Sequence, residues 1–309
     1  MQRNNYLFVH FTGEHENGEQ IYFSLSRDGL NWNDVNNGNP VLVSGIGEKG
    51  VRDPFLVRDE KNNKFYLIAT DLRIASGKGW EVAQYAGSRD LIIWESEDLV
   101  NFTGPRAVTV GTYDAGCVWA PEAVYDPKKE AFFVFWASMT PKDDKAHAKQ
   151  KIYAAYTKDF KTFTKPTLYI ERQEHVIDTD IVAVNSENSS KTGYIRFSKD
   201  ETTKNIRSDY GETLDAGNFA DIRSEVLDNL HGIEGPICFY INSLKKWCLM
   251  VDRYATHKGY LPMLADDIAN GNFKILDESE YNLGKTLKRH GGILAISDEE
   301  YDRVSKITR

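Results

Sequence analysis

The 309 residues carry 38 basic and 46 acidic side chains, a net charge of −8, which argues against nucleic acid as the main partner because phosphate binding requires a positive surface. With 41% hydrophobic and 12% aromatic residues the chain can fill a real core as one large domain or two; no stretch approaches the ~18 uncharged apolar residues of a membrane span. Cys117, Cys238 and Cys248 are odd in number and lack Cys-x-x-Cys spacing, so neither a disulfide framework nor a zinc site is expected. The N-terminus shows no apolar signal core, which fits a cytoplasmic protein or equally a periplasmic or secreted one whose export signal has been removed.

In chain order, the first predicted strands are Tyr6-Leu-Phe-Val-His-Phe-Thr and Ile21 to Trp32. The stretch Ser26 to Trp32 reads as a hairpin turn remote from any chemistry. Then comes Asp53-Pro-Phe-Leu-Val, opening a series continued by Glu122-Ala-Val-Tyr, Asp178-Thr-Asp-Ile-Val, Glu234-Gly-Pro-Ile and His290-Gly-Gly-Ile-Leu. The last four anchors are spaced by 56 residues, and the longer first interval fits a Gly/Lys/Ser insert around Ser76 to Trp80. After each anchor but the last comes a polar turn and a second apolar run: Phe65 to Asp71, Phe132 to Ser138, Gly193 to Lys199 and Trp247 to Arg253. Third elements with an aromatic near their end (Phe102, Phe163, Phe219, Phe273) and short fourth runs complete units of about four strands. The residues after His290 are too few for a whole sheet, and the missing strands match those at the N-terminus.

Repeated four-stranded units around a channel are propeller blades. The prediction is an all-β, five-bladed β-propeller forming one domain over residues 1–309, its ring closed where N-terminal strands complete the C-terminal blade. The anchors begin the innermost strands, so Asp53, Glu122, Asp178, Glu234 and His290 are expected at one mouth of the channel. Isolated acids there would cap turns. Several crowded together raise one another's pKa without benefit to the fold, whereas a glycosidase needs one carboxyl protonated and another ionised.

The series Arg52-Asp53-Pro54, Trp119-Ala120-Pro121-Glu122, Ile177-Asp178-Thr179-Asp180 and Glu234-Gly235-Pro236 resembles, in order, the motifs of glycoside hydrolase family 43, over essentially the whole chain. That resemblance implies inverting hydrolysis of arabinofuranosyl, xylosyl or related linkages in oligo- or polysaccharides. It implies Asp53 as general base, Glu234 as general acid and Asp178 as the carboxylate that orients the acid and raises its pKa. Asp180 is the rival for the third role, since residues two apart on a strand share a face. Glu122 is expected to line the channel below the site and Trp119 to offer an aromatic face to a sugar. Arg289 and, less strongly, Arg196 are candidate substrate contacts. No cofactor is required by this chemistry. In relatives, a histidine at the position of His290 helps hold an axial calcium ion, chiefly through water, although calcium prefers oxygen ligands.

Two rival readings are carried. Retaining fructosidase-like propellers also use Arg-Asp-Pro, but they carry Asn-Asp-Pro upstream, where this chain has Gly38-Asn39-Pro40, and a Glu-Cys pair that is absent here. A non-catalytic carbohydrate-binding propeller would have no use for three crowded acids. Oligomeric state is not legible.

Overall fold

A computed structural model describes residues 3–309. It contains five antiparallel four-stranded sheets. The N-terminal strands β1 (Asn5–His10), β2 (Tyr22–Ser26) and β3 (Trp32–Asp34) come first. Blade 1 is β4 (Val51–Asp59), β5 (Lys64–Asp71), β6 (Asp90–Ser96) and β7 (Phe102–Thr109). Blade 2 is β8 (Trp119–Asp126), β9 (Ala131–Thr140), β10 (Lys149–Thr157) and β11 (Thr167–Ile170). Blade 3 is β12 (Val176–Val184), β13 (Gly193–Asp200), β14 (Asn205–Gly211) and β15 (Phe219–Ile222). Blade 4 is β16 (Glu234–Ile241), β17 (Lys246–Asp252), β18 (Tyr260–Ala265) and β19 (Lys274–Ile275). Blade 5 is closed by β20 (Gly291–Ile296), which pairs with β1 from Asn5↔Ile296 to His10↔Gly291. The predicted ring closure is therefore present.

Each interface between neighbouring blades has its own apolar cluster. Phe8 of β1 shares a cluster with Met250 of β17, Leu7 with Leu67, Ile68 with Val134, Phe133 with Ile181, and Phe197 with Leu249, in five successive clusters around the ring. Second strands are buried along almost their whole length, as in β9, because both faces pack on neighbouring blades. The aromatics Trp32, Phe102 and Phe219 open the outermost strand of a blade and do not end the third. A short Asx turn precedes Trp32, Phe102 and Phe163. Asp28 accepts from the amides of Leu30 and Asn31, Asp98 from those of Val100 and Asn101, and Asp159 from those of Lys161 and Thr162. The turn at Ser26–Trp32 is thus one copy of a recurring corner.

A clasp reinforces the closure. Asp34, at the end of β3, accepts the Lys285 and Thr286 amides at 2.9 Å, the Thr286 hydroxyl at 2.8 Å and the ammonium of the buried Lys288 at 2.7 Å. Burial pushes the Asp34 carboxyl up, but the ion pair and these hydrogen bonds outweigh it and hold it well below the usual carboxylate range. Asp34→Asn leaves Lys288 buried without its counter-charge, and the expected loss is about 3–5 kcal/mol. The depressed carboxyl contributes stability above the unfolded-state pKa and loses it as pH falls through the folded one. Urea unfolding should accordingly show a deficit for the variant at pH 7 that shrinks in strong acid.

Candidate active site

Four of the five inner strands begin with a β-bulge. The pairing shifts between Arg52 and Phe55, Trp119 and Glu122, Ile177 and Thr179, and Glu234 and Ile237. In each bulge one residue takes a left-handed backbone: Asp53 (φ 49°), Ala120 (φ 47°), Asp178 (φ 46°) and Gly235 (φ 51°). Bulges re-aim side chains at the rims of sheets, and left-handed residues other than glycine carry strain that clusters at functional sites. The equivalent positions are therefore Asp53, Ala120, Asp178 and Gly235. The 56-residue spacing locates the blades but groups residues that are not structurally equivalent.

The bulge register explains where each acid goes. Arg52, Trp119, Ile177 and Glu234 occupy the residue before the left-handed one, and all four line a single cavity of about 410 Å³ at one end of the channel. Asp53, Asp178, Arg289 and His290 line it too. Glu122 stands two residues past its left-handed neighbour, at the position of the chain's interior, and is only 3% exposed. It does not reach the cavity. The structure also moves Arg196 out of the expected substrate contacts. Its guanidinium is bound to Asp209 through two 2.7 Å hydrogen bonds and lies 3.5 Å over the Phe219 ring, buried between blades.

His290 stands at the centre of the cluster. Nδ1 is 3.6 Å from Asp53 Oδ1 and 3.8 Å from Asp178 Oδ1, while Nε2 is 3.7 Å from Glu122 Oε1. Asp53 Oδ2 accepts from the Thr70 hydroxyl at 3.0 Å, and Thr70 in turn accepts the Ala120 amide at 2.8 Å. Asp178 Oδ2 accepts the Gly235 amide at 3.1 Å, which ties blade 3 to the strand carrying Glu234. Asp180 Oδ2 accepts the Cys238 amide at 2.6 Å and lies deeper, beside Glu122. Among the described residues no three metal-ligating side chains are arranged to hold an ion directly. Calcium is held by six to eight oxygens and an imidazole supplies none, so a calcium ion there would be held chiefly through water, with His290 beside it.

Electrostatics divides the acids. Burial raises Asp178 to about 6, with the Glu234 and Asp53 charges adding to it and His290 and Lys199 opposing. Burial, with the Asp180 and Asp178 charges adding to it, lifts Glu122 well above its ordinary value. Glu234 behaves oppositely. Burial pushes it up, but Lys199, Arg289 and His290 overcome that and leave it below its ordinary value. Lys199 Nζ is 2.8 Å from Glu234 Oε2 and Arg289 Nη2 is 2.9 Å from Oε1. Arg289 Nε also binds Asp252 at 2.6 Å, and burial raises Asp252 to about 6 despite that partner.

Lys199 and Asp252 went unnoticed as candidates in the sequence. Both are cross-strand partners of bulge residues, Lys199 of Ile177 and Asp252 of Glu234. The available signal was a polar residue ending an apolar second-strand run. Trp80, from a six-residue helix α1 (Trp80–Tyr85) in the first-blade insert, also lines the cavity, 43% exposed. It packs edge-on to Trp119 at 6.0 Å, with Arg52 5.1 Å from its ring centroid.

A ring of five blades with carboxylates gathered in one small cavity is the arrangement that the motif series led one to expect. A family profile described as a probable glycosyl hydrolase domain matches residues 2–302. The chain belongs to glycoside hydrolase family 43, as its motif series implied. It is 33% identical over 214 residues to an α-L-arabinofuranosidase of Bifidobacterium longum subsp. longum; the match covers 63% of this chain but only 19% of that much longer protein. Among solved structures, a family 43 β-1,3-galactosidase bound to galactodeoxynojirimycin is similar with a TM-score of 0.59 at 12% identity, covering 92% of this chain and 93% of that one. An engineered family 43 enzyme with endo-xylanase and exo-arabinofuranosidase activity gives 0.57 at 12% identity, covering 91% and 52%. At such identities the structural likeness speaks for the fold alone. What the family likeness gives is a glycosyl hydrolase domain over residues 2–302.

Proposed function

We propose that the protein removes single glycosyl residues, foremost arabinofuranosyl, from plant-type oligo- or polysaccharides by an inverting general acid/base mechanism. The observation that carries this reading is the meeting of Asp53, Asp178 and Glu234 on one cavity whose size is at the small end for ligand sites. Asp53, held by Thr70, takes a proton from the attacking water. Glu234 gives a proton to the departing glycosidic oxygen, and Asp178 interacts electrostatically with it from the neighbouring blade. Inversion requires acid and base to face opposite sides of the sugar with room for water between them, and here the two carboxyls come from blades that are not neighbours in the ring. Trp119 supplies an apolar wall and Arg289 steadies Glu234. The arabinofuranosyl preference is supported by the 33% identical relative; xylosyl linkages are the second choice within the same mechanism.

The test is release of monosaccharide from arabinofuranosides, xylosides and galactosides, with the anomeric configuration of the product followed by NMR at early times. Arabinose released with inverted configuration is the expected outcome. Net retention removes Asp53 from the base role and favours the fructosidase-like alternative. Tight binding of oligosaccharide with no release from any of the three classes favours a lectin.

A further inference from the structure

Glu234 does not sit in the cavity as a free carboxyl. It is the middle rung of a ladder of alternating charges that runs Lys204, Glu201, Lys199, Glu234, Arg289 and Asp252. Lys199 is the unusual member. It is 2% exposed, stands next to the last residue of the second strand of blade 3, and holds Glu201 at 2.6 Å and Glu234 at 2.8 Å. Its ammonium also lies 4.4 Å from the centroid of the Tyr254 ring, which closes that wall. A buried lysine is costly to the fold unless its charge is answered, and here the larger share of the answer is a carboxyl needed for chemistry. Neither the motif series nor the family likeness assigns this residue.

We propose that Lys199 is a positioning residue for Glu234, fixing the orientation and charge of its carboxyl and thereby setting the alkaline limit of turnover. This rests on Glu234 acting as the general acid. The groups facing Glu234 are Lys199 and Glu201 from blade 3's second strand and its following turn, Asp178 from β12, Asp252 and Tyr254 from β17 and the turn after it, and Arg289 and His290 from the segment before β20. The two cations favour the ionised form; Asp178 and Asp252 favour the protonated one. An adjacent opposite charge lowers a carboxyl by about 1–3 pH units, so Lys199 is large enough to decide where the balance falls. It holds the acid's working range toward acid pH, and Glu201 keeps the ammonium aimed at its target.

The sign follows directly. Removing Lys199 destabilises ionised Glu234, so its proton is retained to higher pH. In Lys199→Met the alkaline limb of kcat/KM should move up by about one pH unit or more, while Lys199→Arg, which keeps the charge, leaves the limb near its original place. A second readout needs no turnover: the Glu234 carboxyl carbon, identified by its absence in the Glu234→Gln spectrum of ¹³C-glutamate-labelled protein, should titrate correspondingly higher in Lys199→Met. A folded Lys199→Met protein whose limb and carboxyl titration both stay within 0.3 unit (about the precision of such a titration) overturns the proposal. So does an equal shift in Lys199→Arg. If the wild type cleaves no glycoside yet the carboxyl shift is seen, control of Glu234 by Lys199 stands and its role as a catalytic acid falls.

Discussion

Glu234→Gln should lower kcat/KM on an arabino-oligosaccharide by about 10²–10⁴-fold, the usual contribution of one positioned proton donor. The amide keeps the size of the side chain and can still pair with Lys199 or Arg289 through its oxygen. It cannot protonate a departing sugar alcohol. A dinitrophenyl leaving group needs no such help, so on that substrate the variant should recover most of its rate. A variant equally slow on both substrates points to a damaged pocket. One that keeps wild-type rates on both removes Glu234 from the acid role.

Asp53→Asn should cost a similar factor, about 10²–10⁴-fold in kcat, and there the leaving group should make no difference. Water activation is the lost step, and it is needed however good the departing group is. The Thr70 hydroxyl that donates to Asp53 at 3.0 Å can donate to the new side chain's oxygen as well, which keeps the geometry and isolates the chemistry. With Asp53→Gly and added azide, release of the activated leaving group should return in part, and the product should be a glycosyl azide of inverted configuration. Failure of azide to appear in any product, with wild-type water turnover persisting in Asp53→Asn, locates the base elsewhere. The contrast in leaving-group dependence between the two variants separates the roles more sharply than either rate alone.

The blades were legible because a strand packed on both faces writes a nearly unbroken apolar run, and five such runs recur with polar turns between them. Closure was legible because the last repeat lacked strands that the first residues supplied. What the repeat concealed was register. At two blades the left-handed position is filled by Ala120 and Gly235, which have no chemistry to announce them, and the nearby Glu122 and Glu234 drew the eye instead. Glu122 consequently belongs with the interior positions Phe55 and Ile237, while Glu234 belongs with the wall-forming Arg52 and Trp119. Arg196 misled for another reason: an arginine on a second strand near acids can serve a neighbouring strand as readily as a substrate, and Asp209, paired directly opposite it, claims it. Lys199 was hidden because a polar residue closing an apolar run looks like an ordinary strand end.

The order in which the ring is made has a bearing on when its cavity is complete. Blades 1 to 4 are written consecutively, whereas blade 5 joins strands from the two ends of the domain. Arg289 and His290 immediately precede that final strand. A nascent chain can therefore stack four sheets while still lacking the guanidinium that steadies Glu234 and the imidazole lying between Asp53 and Asp178. The cluster around Glu234 and Asp53 is thus completed in the same step that seals the circle, and a chain that stops before Arg289 has neither side chain.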